Sequence, residues 1–167
     1  MGNVKIVGRI GIVTGPVSTG KNSFCRKIVE QYGKKTCRVI TMKRVDPNNA
    51  ASIDNVLMAN EKIREGISSN ILVIVRTEGL TYEHLVSLIA SIRVMGYKEK
   101  ITLIKLNLPE DLHMDYWRRN RKQAKISLKR LKKERAEFKK IAANDDFFDS
   151  NVICVEVNDP EDILFEF

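Results

Sequence analysis

Two kinds of hydrophobic periodicity alternate along the chain and predict an alternation of strands and helices. Short runs of β-branched and other apolar residues predict strands, and apolar residues three and four positions apart predict amphipathic helices. The predicted strands are Val4 to Thr14, Cys37 to Met42, Ile71 to Val75, Ile101 to Leu106 and Val152 to Val157. The predicted helices are residues 21–32, Ala51 to Gly66, the segment from Leu85 to Met95, and Pro109 to Lys140 in two pieces.

This alternation predicts an α/β fold with a parallel five-stranded sheet flanked by helices. The apolar run from Ile71 to Val75 is unbroken, which is typical of a strand that is covered on both faces. The long helical segment before the last strand is predicted to break around Gln123 to Ile126. Because no repeat, low-complexity tract or linker divides the sequence, we expect a single domain over residues 1–167.

Composition supports a globular protein, since 43% of the residues are hydrophobic and 30% are charged. No apolar run approaches the roughly 20 residues that span a bilayer, and Met1 to Gly8 lacks a signal-peptide core. We therefore expect a cytoplasmic protein with no membrane partner. Cys25, Cys37 and Cys154 form no CxxC pair, so we expect buried thiols rather than a zinc site or disulfides.

The net charge of +8 is concentrated in one segment. From Arg118 to Lys140 the chain has twelve Lys or Arg residues against two acids, Glu134 and Glu137. Residues 144–167 contain eight acids and no base. This asymmetry favours a polyanionic partner such as a nucleotide or a nucleic acid. A solvated helix whose charges serve only solubility is the alternative.

The most specific motif is the sequence GPVSTGK at Gly15 to Lys21, which satisfies the phosphate-loop pattern GxxxxGK between a predicted strand and a predicted helix. Glycines let backbone N–H groups surround a phosphate, and the start of the helix directs free N–H groups at the same anion. Lys21 can reach the β- and γ-phosphates. The residues predicted to bind ATP or GTP are Gly15, Pro16, Val17, Ser18, Thr19, Gly20, Lys21, Asn22 and Ser23.

Asn22 departs from the usual phosphate-loop pattern. The residue after the lysine is normally Ser or Thr, whose hydroxyl group binds Mg²⁺. An amide oxygen can also bind a hard cation, and a hydroxyl group follows at Ser23. Asn22 and Ser23 are therefore the candidate Mg²⁺ ligands.

Two stretches of the chain resemble the P-loop kinases, and among them most closely the phage-type polynucleotide 5′-kinases. The first is Gly15 to Ser23, and the second is RRNRKQAKI at Arg118 to Ile126, continuing through Leu128, Leu131 and Phe138. The resemblance implies that residues of about 109–142 form a basic lid. It also implies ATP- and Mg²⁺-dependent transfer of the γ-phosphate to a 5′-hydroxyl end of DNA or RNA.

The resemblance further implies roles for residues outside the phosphate loop. Arg119 and Arg121 of the lid would close over the transferring phosphoryl group. After the second predicted strand, Asp46 would be the general base, and Lys43 or Arg44 would hold the acceptor phosphate.

A structural interpretation of the segment around Asp46 stays open beside the catalytic one. Asp46-Pro47-Asn48-Asn49 is also a common turn and helix-start sequence, with Asn49 as the cap.

Three positions differ from the pattern of the kinases that the chain resembles. Gln123 stands where that family has a lid arginine, Arg76 stands where it has an acidic residue, and Asn22 replaces the hydroxyl residue. All three affect the charges that carry phosphoryl transfer. The alternatives are therefore a catalytically impaired nucleotide-binding module with a regulatory or assembly role, a kinase for a small nucleoside- or nucleotide-like substrate, or a plain nucleic-acid-binding protein.

The remaining ring side chains are expected to be structural. His84 and His113 have no partner at metal-ligand spacing, and we expect both at the surface. Tyr116 and Trp117 lie beside the arginines and are expected to anchor the lid to the core, with stacking on a base as the alternative.

Overall fold

The structure is a computed structural model that describes residues 2–143 and 148–166, apart from the side chains of residues 121–124, 162 and 164–166. Seven strands and five helices follow one another in these residues. The strands are β1 (Gly2–Lys5), β2 (Ile10–Thr14), β3 (Cys37–Lys43), β4 (Leu72–Glu78), β5 (Ile101–Leu106), β6 (Val152–Val157) and β7 (Ile163–Glu166). The helices are α1 (Lys21–Tyr32), α2 (Ala50–Ser68), α3 (Tyr82–Val94), α4 (Glu110–Ala124) and α5 (Leu128–Ala143), and a 3₁₀ turn covers Pro160–Asp162.

Five of the strands form a parallel sheet in the order β3-β4-β2-β5-β6. The predicted fold class, a parallel five-stranded α/β sheet flanked by helices, is confirmed. β2 lies at the centre, between β4 and β5. Since all five strands run in the same direction, their carboxyl ends meet at one edge, where α/β proteins bind their ligands.

Helices cover both faces of the sheet, because the central strands are apolar on both sides. In β2, Ile10 and Ile12 belong to the core on one face and Val13 to the core on the other. The first core also contains residues of α2, α3 and α5, and the second contains residues of α1 and α4. Consecutive apolar residues in these strands therefore follow from burial on both faces.

The first predicted strand is wrong in one respect, because Val4 to Thr14 is two strands instead of one. Gly8, with a φ of 82°, separates β1 from β2. β1 pairs with β7 in a separate two-stranded parallel sheet. The sequence pattern predicts no strand after Val157, so β7 was missed.

Other differences concern the ends of elements and one side chain. β4 continues to Glu78 instead of ending at Val75, which brings Arg76 and Glu78 to the carboxyl edge of the sheet. The break in the basic segment is confirmed, since α4 ends at Ala124 and α5 begins at Leu128. His113 was expected at the surface, but it is completely buried, because α4 packs that side of the helix against the loop after β2.

The described residues include no helix with both the length and the apolar character that a membrane crossing requires.

Substitutions at Gly8 and Gly96 test whether the turn between β1 and β2 depends on the close backbone contact at Gly8. Both have a positive φ, but an added Cβ at Gly8 would lie 2.0 Å from the carbonyl oxygen of Lys100, whereas at Gly96 it would meet nothing within 4 Å. We expect Gly96→Ala to lower the free energy of unfolding by about 1 kcal/mol through backbone strain. Gly8→Ala should cost at least about 2 kcal/mol more, because backbone must move.

The measurement is urea unfolding of the two variants and the unchanged protein. Equal losses in the two variants would contradict the importance of the contact with Lys100.

Candidate functional site

The loop between β2 and α1 is compact, and side chains within it form hydrogen bonds to its own backbone. Ser18 and Gly20 have positive φ angles of 63° and 81°. Thr19 Oγ1 donates a hydrogen bond to the carbonyl oxygen of Pro16 at 2.8 Å. Gly15 is tightly surrounded, since a Cβ there would lie 3.0 Å from Thr19 Oγ1 and 3.1 Å from Leu106. Close packing at Gly15 and the positive φ of Gly20 therefore favour glycine at both positions of the motif.

Lys21 begins α1 and directs its ammonium group back onto this loop. Its Nζ donates to the carbonyl oxygens of Gly15 at 2.6 Å and of Pro16 at 3.2 Å. Burial lowers the pKa of Lys21 to about 8, and the positive charge of Arg76 contributes in the same direction, whereas Glu134 and Glu78 oppose the shift. Lys21 is therefore a half-buried cation in the loop, close to one other cation and two carboxylates.

An open cavity of about 590 Å³ lies over the phosphate loop, within the size range of small-ligand sites. The lining comes from four parts of the chain: the loop with the first turns of α1, the end of β4, the end of α4, and the start of α5. The lining residues are Val17, Ser18, Thr19, Gly20, Lys21, Asn22, Ser23, Arg26, Glu78, Gly79, Asn120, Ile126, Arg130 and Glu134. The basic helical segment and the predicted phosphate site therefore share one cavity.

Val17 joins the phosphate loop to the basic helices through both of its backbone polar groups. Its N–H donates to Glu134 Oε1 of α5 at 3.1 Å, and its carbonyl oxygen lies 2.7 Å from His113 Nε2 of α4. Arg135 can only donate, and its NH1 lies 3.2 Å from His113 Nδ1. The Nδ1 atom is therefore the acceptor, and Nε2–H donates to Val17.

Glu134 places a carboxylate at a backbone amide that the motif predicts to face a phosphate. Its side chain is only 15% exposed, and its Oε2 accepts from Arg130 Nε at 2.8 Å. A carboxylate and a phosphate oxygen compete for the same N–H donor, and they repel each other. Sequence analysis did not select Glu134, although it is one of only two acids in the basic segment, and that isolation was an available signal.

Arg76 connects the end of β4 to the first turn of α1. Its NH1 donates to Asn22 Oδ1, and its NH2 donates to Thr41 Oγ1 at 2.7 Å and to Glu78 Oε1 at 3.5 Å. Arg76 stands where the kinases that the chain resembles have an acidic residue. It therefore contacts Asn22, another position that departs from their pattern.

The residues at this place do not fit Mg²⁺. Asn22 Oδ1 already accepts from a guanidinium group, so a divalent cation on that oxygen would lie beside a fixed positive charge. Ser23 lines the cavity but has no carboxylate partner in the contacts of the described residues.

The predicted lid arginines differ in how far the structure describes them. Arg119 is exposed on α4, forms an ion pair with Glu161 at 3.3 Å, and lies over the ring of Tyr116. The side chain of Arg121 lies outside the described residues, as does that of Gln123. Arg130, which sequence analysis did not single out, lines the cavity.

The predicted acceptor-side residues are not among those that line the phosphate cavity. Arg44 is next to the cavity rim, since its backbone N–H donates to Glu78 O at 3.2 Å. Lys43 ends β3. Asp46 accepts from Asn48 N at 3.0 Å, and Asn49 caps α2 by accepting from Ala51 N at 3.0 Å.

These contacts confirm the turn and helix-start interpretation of the segment. The catalytic role of Asp46 stays a prediction.

No protein-family model and no curated protein sequence matches the chain. Among solved structures, it is similar to a provisionally named kinase from Chloroflexus aurantiacus J-10-fl, with 12% identity, 95% of this chain and 90% of that chain covered, and a TM-score of 0.60. Shikimate kinase from Acinetobacter baumannii (15% identity, 95% and 84% covered) and deoxyadenosine kinase from M. mycoides (12% identity, 91% and 91% covered) each align with a TM-score of 0.48. The first of these similarities shows a shared fold.

The contact between Glu134 and Val17 gives a prediction about anion binding. We expect Glu134→Gln to bind pyrophosphate at pH 7 roughly fivefold or more tightly, because the variant removes a negative charge and releases Arg130 from its ion pair. The measurement is the dissociation constant of pyrophosphate by calorimetry.

Glu137→Gln is the matched control, since Glu137 lies one turn later on α5 near the same loop. Equal tightening in both variants would mean that only long-range charge matters, and weaker binding in Glu134→Gln would contradict the assignment.

Proposed function

We propose that this chain binds a nucleoside triphosphate over the phosphate loop and transfers its γ-phosphoryl group to the 5′-hydroxyl end of a polynucleotide. The observation that carries the proposal is the shared cavity, in which the phosphate loop faces residues of the basic helices α4 and α5. Among the described cations of α4 and α5, Arg130 lines this cavity. A phosphate loop next to helices rich in exposed cations favours two phosphate-bearing ligands.

The nucleotide is held by backbone amides of the loop, by the start of α1 and by Lys21. A helix start offers free N–H groups and the positive end of its dipole to a phosphate. Lys21 exchanges its contacts with the carbonyl oxygens of Gly15 and Pro16 for the β- and γ-phosphates. Arg130 and Arg119, with Arg121 as the resemblance implies, supply further positive charge from the lid.

The basic helices support a polynucleotide acceptor. Exposed cationic side chains follow one another along the described part of α4 and α5 and the turn between them. They are Arg118, Arg119, Lys125, Lys129, Arg130, Lys132, Lys133, Lys139 and Lys140. Such a surface binds phosphate backbones and releases counterions, so affinity for the acceptor should fall steeply with salt.

The transfer is a displacement at phosphorus. The acceptor hydroxyl oxygen attacks the γ-phosphorus, a new O–P bond forms, and the bond from this phosphorus to the β–γ bridging oxygen breaks. ADP leaves with that electron pair. The hydroxyl proton passes to a carboxylate at the edge of the sheet, either Glu78, which lines the cavity, or Asp46, which the resemblance implies.

A second candidate function is nucleotide binding without turnover. The contact between Arg76 and Asn22 favours it, because the two residues replace the acidic and hydroxyl side chains that hold Mg²⁺ in P-loop kinases. A protein of this kind would regulate a partner through nucleotide-dependent binding.

Transfer of labelled γ-phosphate from ATP to 5′-hydroxyl oligonucleotides of DNA and RNA tests the proposal. We expect labelled oligonucleotide with the unchanged protein and a loss of about 100-fold or more with Lys21→Ala, because charge stabilisation dominates phosphoryl transfer. Lys34→Ala, an exposed lysine after α1, is the control and should retain activity.

ATP binding without transfer to any oligonucleotide or small hydroxyl compound would favour the second candidate. Transfer that survives Lys21→Ala would show that the site is elsewhere.

The lowered pKa of Lys21 predicts a pH dependence of ATP binding. In the free protein, Lys21 loses its proton as the pH rises through about 8. A bound phosphate chain favours the charged form and raises the pKa of Lys21. ATP affinity should therefore stay level well below pH 8 and fall above it, with uptake of a proton on binding in that window.

Calorimetry from pH 7 to 9.5, in two buffers of different ionisation enthalpy, measures both quantities. Lys21→Arg keeps the charge and should remove the dependence. A level affinity with no proton uptake in the unchanged protein would contradict it.

A further inference from the structure

Three oxygen atoms of different types surround the guanidinium group of Arg76 at the carboxyl edge of the sheet. They are the amide oxygen Oδ1 of Asn22, the hydroxyl oxygen Oγ1 of Thr41 and the carboxylate oxygen Oε1 of Glu78. They come from α1, β3 and β4. β3 and β4 pair in the parallel sheet, and apolar residues of α1 pack in one core with residues of both strands. Amide, hydroxyl and carboxylate oxygens are also the ligands that hard divalent cations prefer. The guanidinium group therefore occupies a place whose oxygen atoms have the chemistry of a cation site.

The position of Asn22 in the phosphate-loop motif indicates the role of the Arg76 charge. Asn22 follows directly after Lys21, where the hydroxyl group that binds Mg²⁺ beside the β- and γ-phosphates normally stands. Arg76 is thus held by the residue that would otherwise hold the metal. Its side chain is 22% exposed, so solvent screens its charge only in part.

We propose that Arg76 takes the charge-neutralising place of a divalent cation, so that this chain binds nucleoside di- and triphosphates without a metal ion. The inference rests on nucleotide binding at the phosphate loop, as proposed above, and it specifies whether the bound nucleotide carries a metal ion. The ligand is the nucleotide without a bound metal ion. Its phosphate chain carries one or two more negative charges than the magnesium complex does, and Lys21 and Arg76 offset these charges.

A second fixed cation lies beside this place. Lys21, which directly precedes Asn22, directs its ammonium group onto the phosphate loop. A divalent cation at Asn22 would add a third positive charge next to these two. A free phosphate chain would instead relieve their repulsion.

The test is the dissociation constant of ATP measured in EDTA and in excess Mg²⁺, with the same protein preparation and ionic strength. We expect the dissociation constant of ATP in EDTA to be no more than about threefold higher than with Mg²⁺, because the fixed positive charges of Arg76 and Lys21 attract the phosphate chain without a metal ion. ATP that binds more than about threefold more tightly with Mg²⁺ would overturn the inference and leave nucleotide binding intact. Binding in neither buffer would overturn the proposed function together with it.

Variants separate the charge of Arg76 from its contribution to folding. Arg76→Gln should lose about tenfold or more of its ATP affinity in EDTA, and added Mg²⁺ should restore part of that loss. Arg64→Gln is the control, because Arg64 forms an exposed ion pair with Glu61 on α2. Equal effects of both variants would contradict a role for Arg76.

A double variant tests the exchange of a fixed cation for a metal directly. Asn22→Ser with Arg76→Asp restores the hydroxyl and acidic side chains of a metal-using site. We expect its ATP binding to require Mg²⁺ and to be lost in EDTA. If the double variant folds, as shown by cooperative urea unfolding, and still binds ATP equally in both buffers, the inference is wrong.

Discussion

The arrangement of this protein depends on one constraint, the central position of β2 in a parallel sheet that is covered on both faces. Parallel strands end at a common edge, so the segments that follow them meet there whatever their separation in sequence. The phosphate loop follows β2, Arg76 and Glu78 end β4, and the basic helices come after β5. The cavity over the loop is a consequence of this topology, and the burial of apolar side chains on both faces holds its walls in place.

The basic helices are coupled to the phosphate loop by hydrogen bonds rather than by apolar packing alone. Val17 uses its carbonyl oxygen for His113 and its N–H for Glu134, and these two contacts differ in what an anion would do to them. A phosphate oxygen at the N–H displaces a carboxylate, whereas the carbonyl contact with a buried neutral imidazole is unaffected. A bound phosphate would therefore leave the contact of the loop with α4 in place and would replace its contact with α5.

Much of the fold could be predicted from the sequence, because periodicity reports burial. The bounds of β5 and β6 agree with the predicted ones, and α1 covers the predicted residues 21–32. The failures have local physical causes. Gly8 interrupts an apolar run by a positive φ that the pattern does not reveal, and β7 exists because β1 provides a partner for it.

The site was predictable only where a motif is contiguous. Gly15 to Lys21 could be recognised because one loop carries the whole arrangement, and the cap at Asn49 because the cap is local. The contacts that His113 and Glu134 make with Val17 could not be predicted, since Val17 lies 96 and 117 residues away from them in sequence. Burial of a histidine or carboxylate is decided by tertiary packing, to which hydrophobic periodicity gives no guide when the residue itself is polar.

Arg76 shows why departures from a motif are best interpreted together. Taken singly, Asn22 weakens a metal ligand and Arg76 removes an acidic one, and each change alone would weaken binding of the metal ion that neutralises the phosphates. Together they form a hydrogen-bonded pair in which the missing positive charge is part of the protein. A covalently attached cation cannot dissociate, but it also cannot move with the phosphate chain as a metal ion does. The pair therefore favours binding of the phosphates more directly than their transfer.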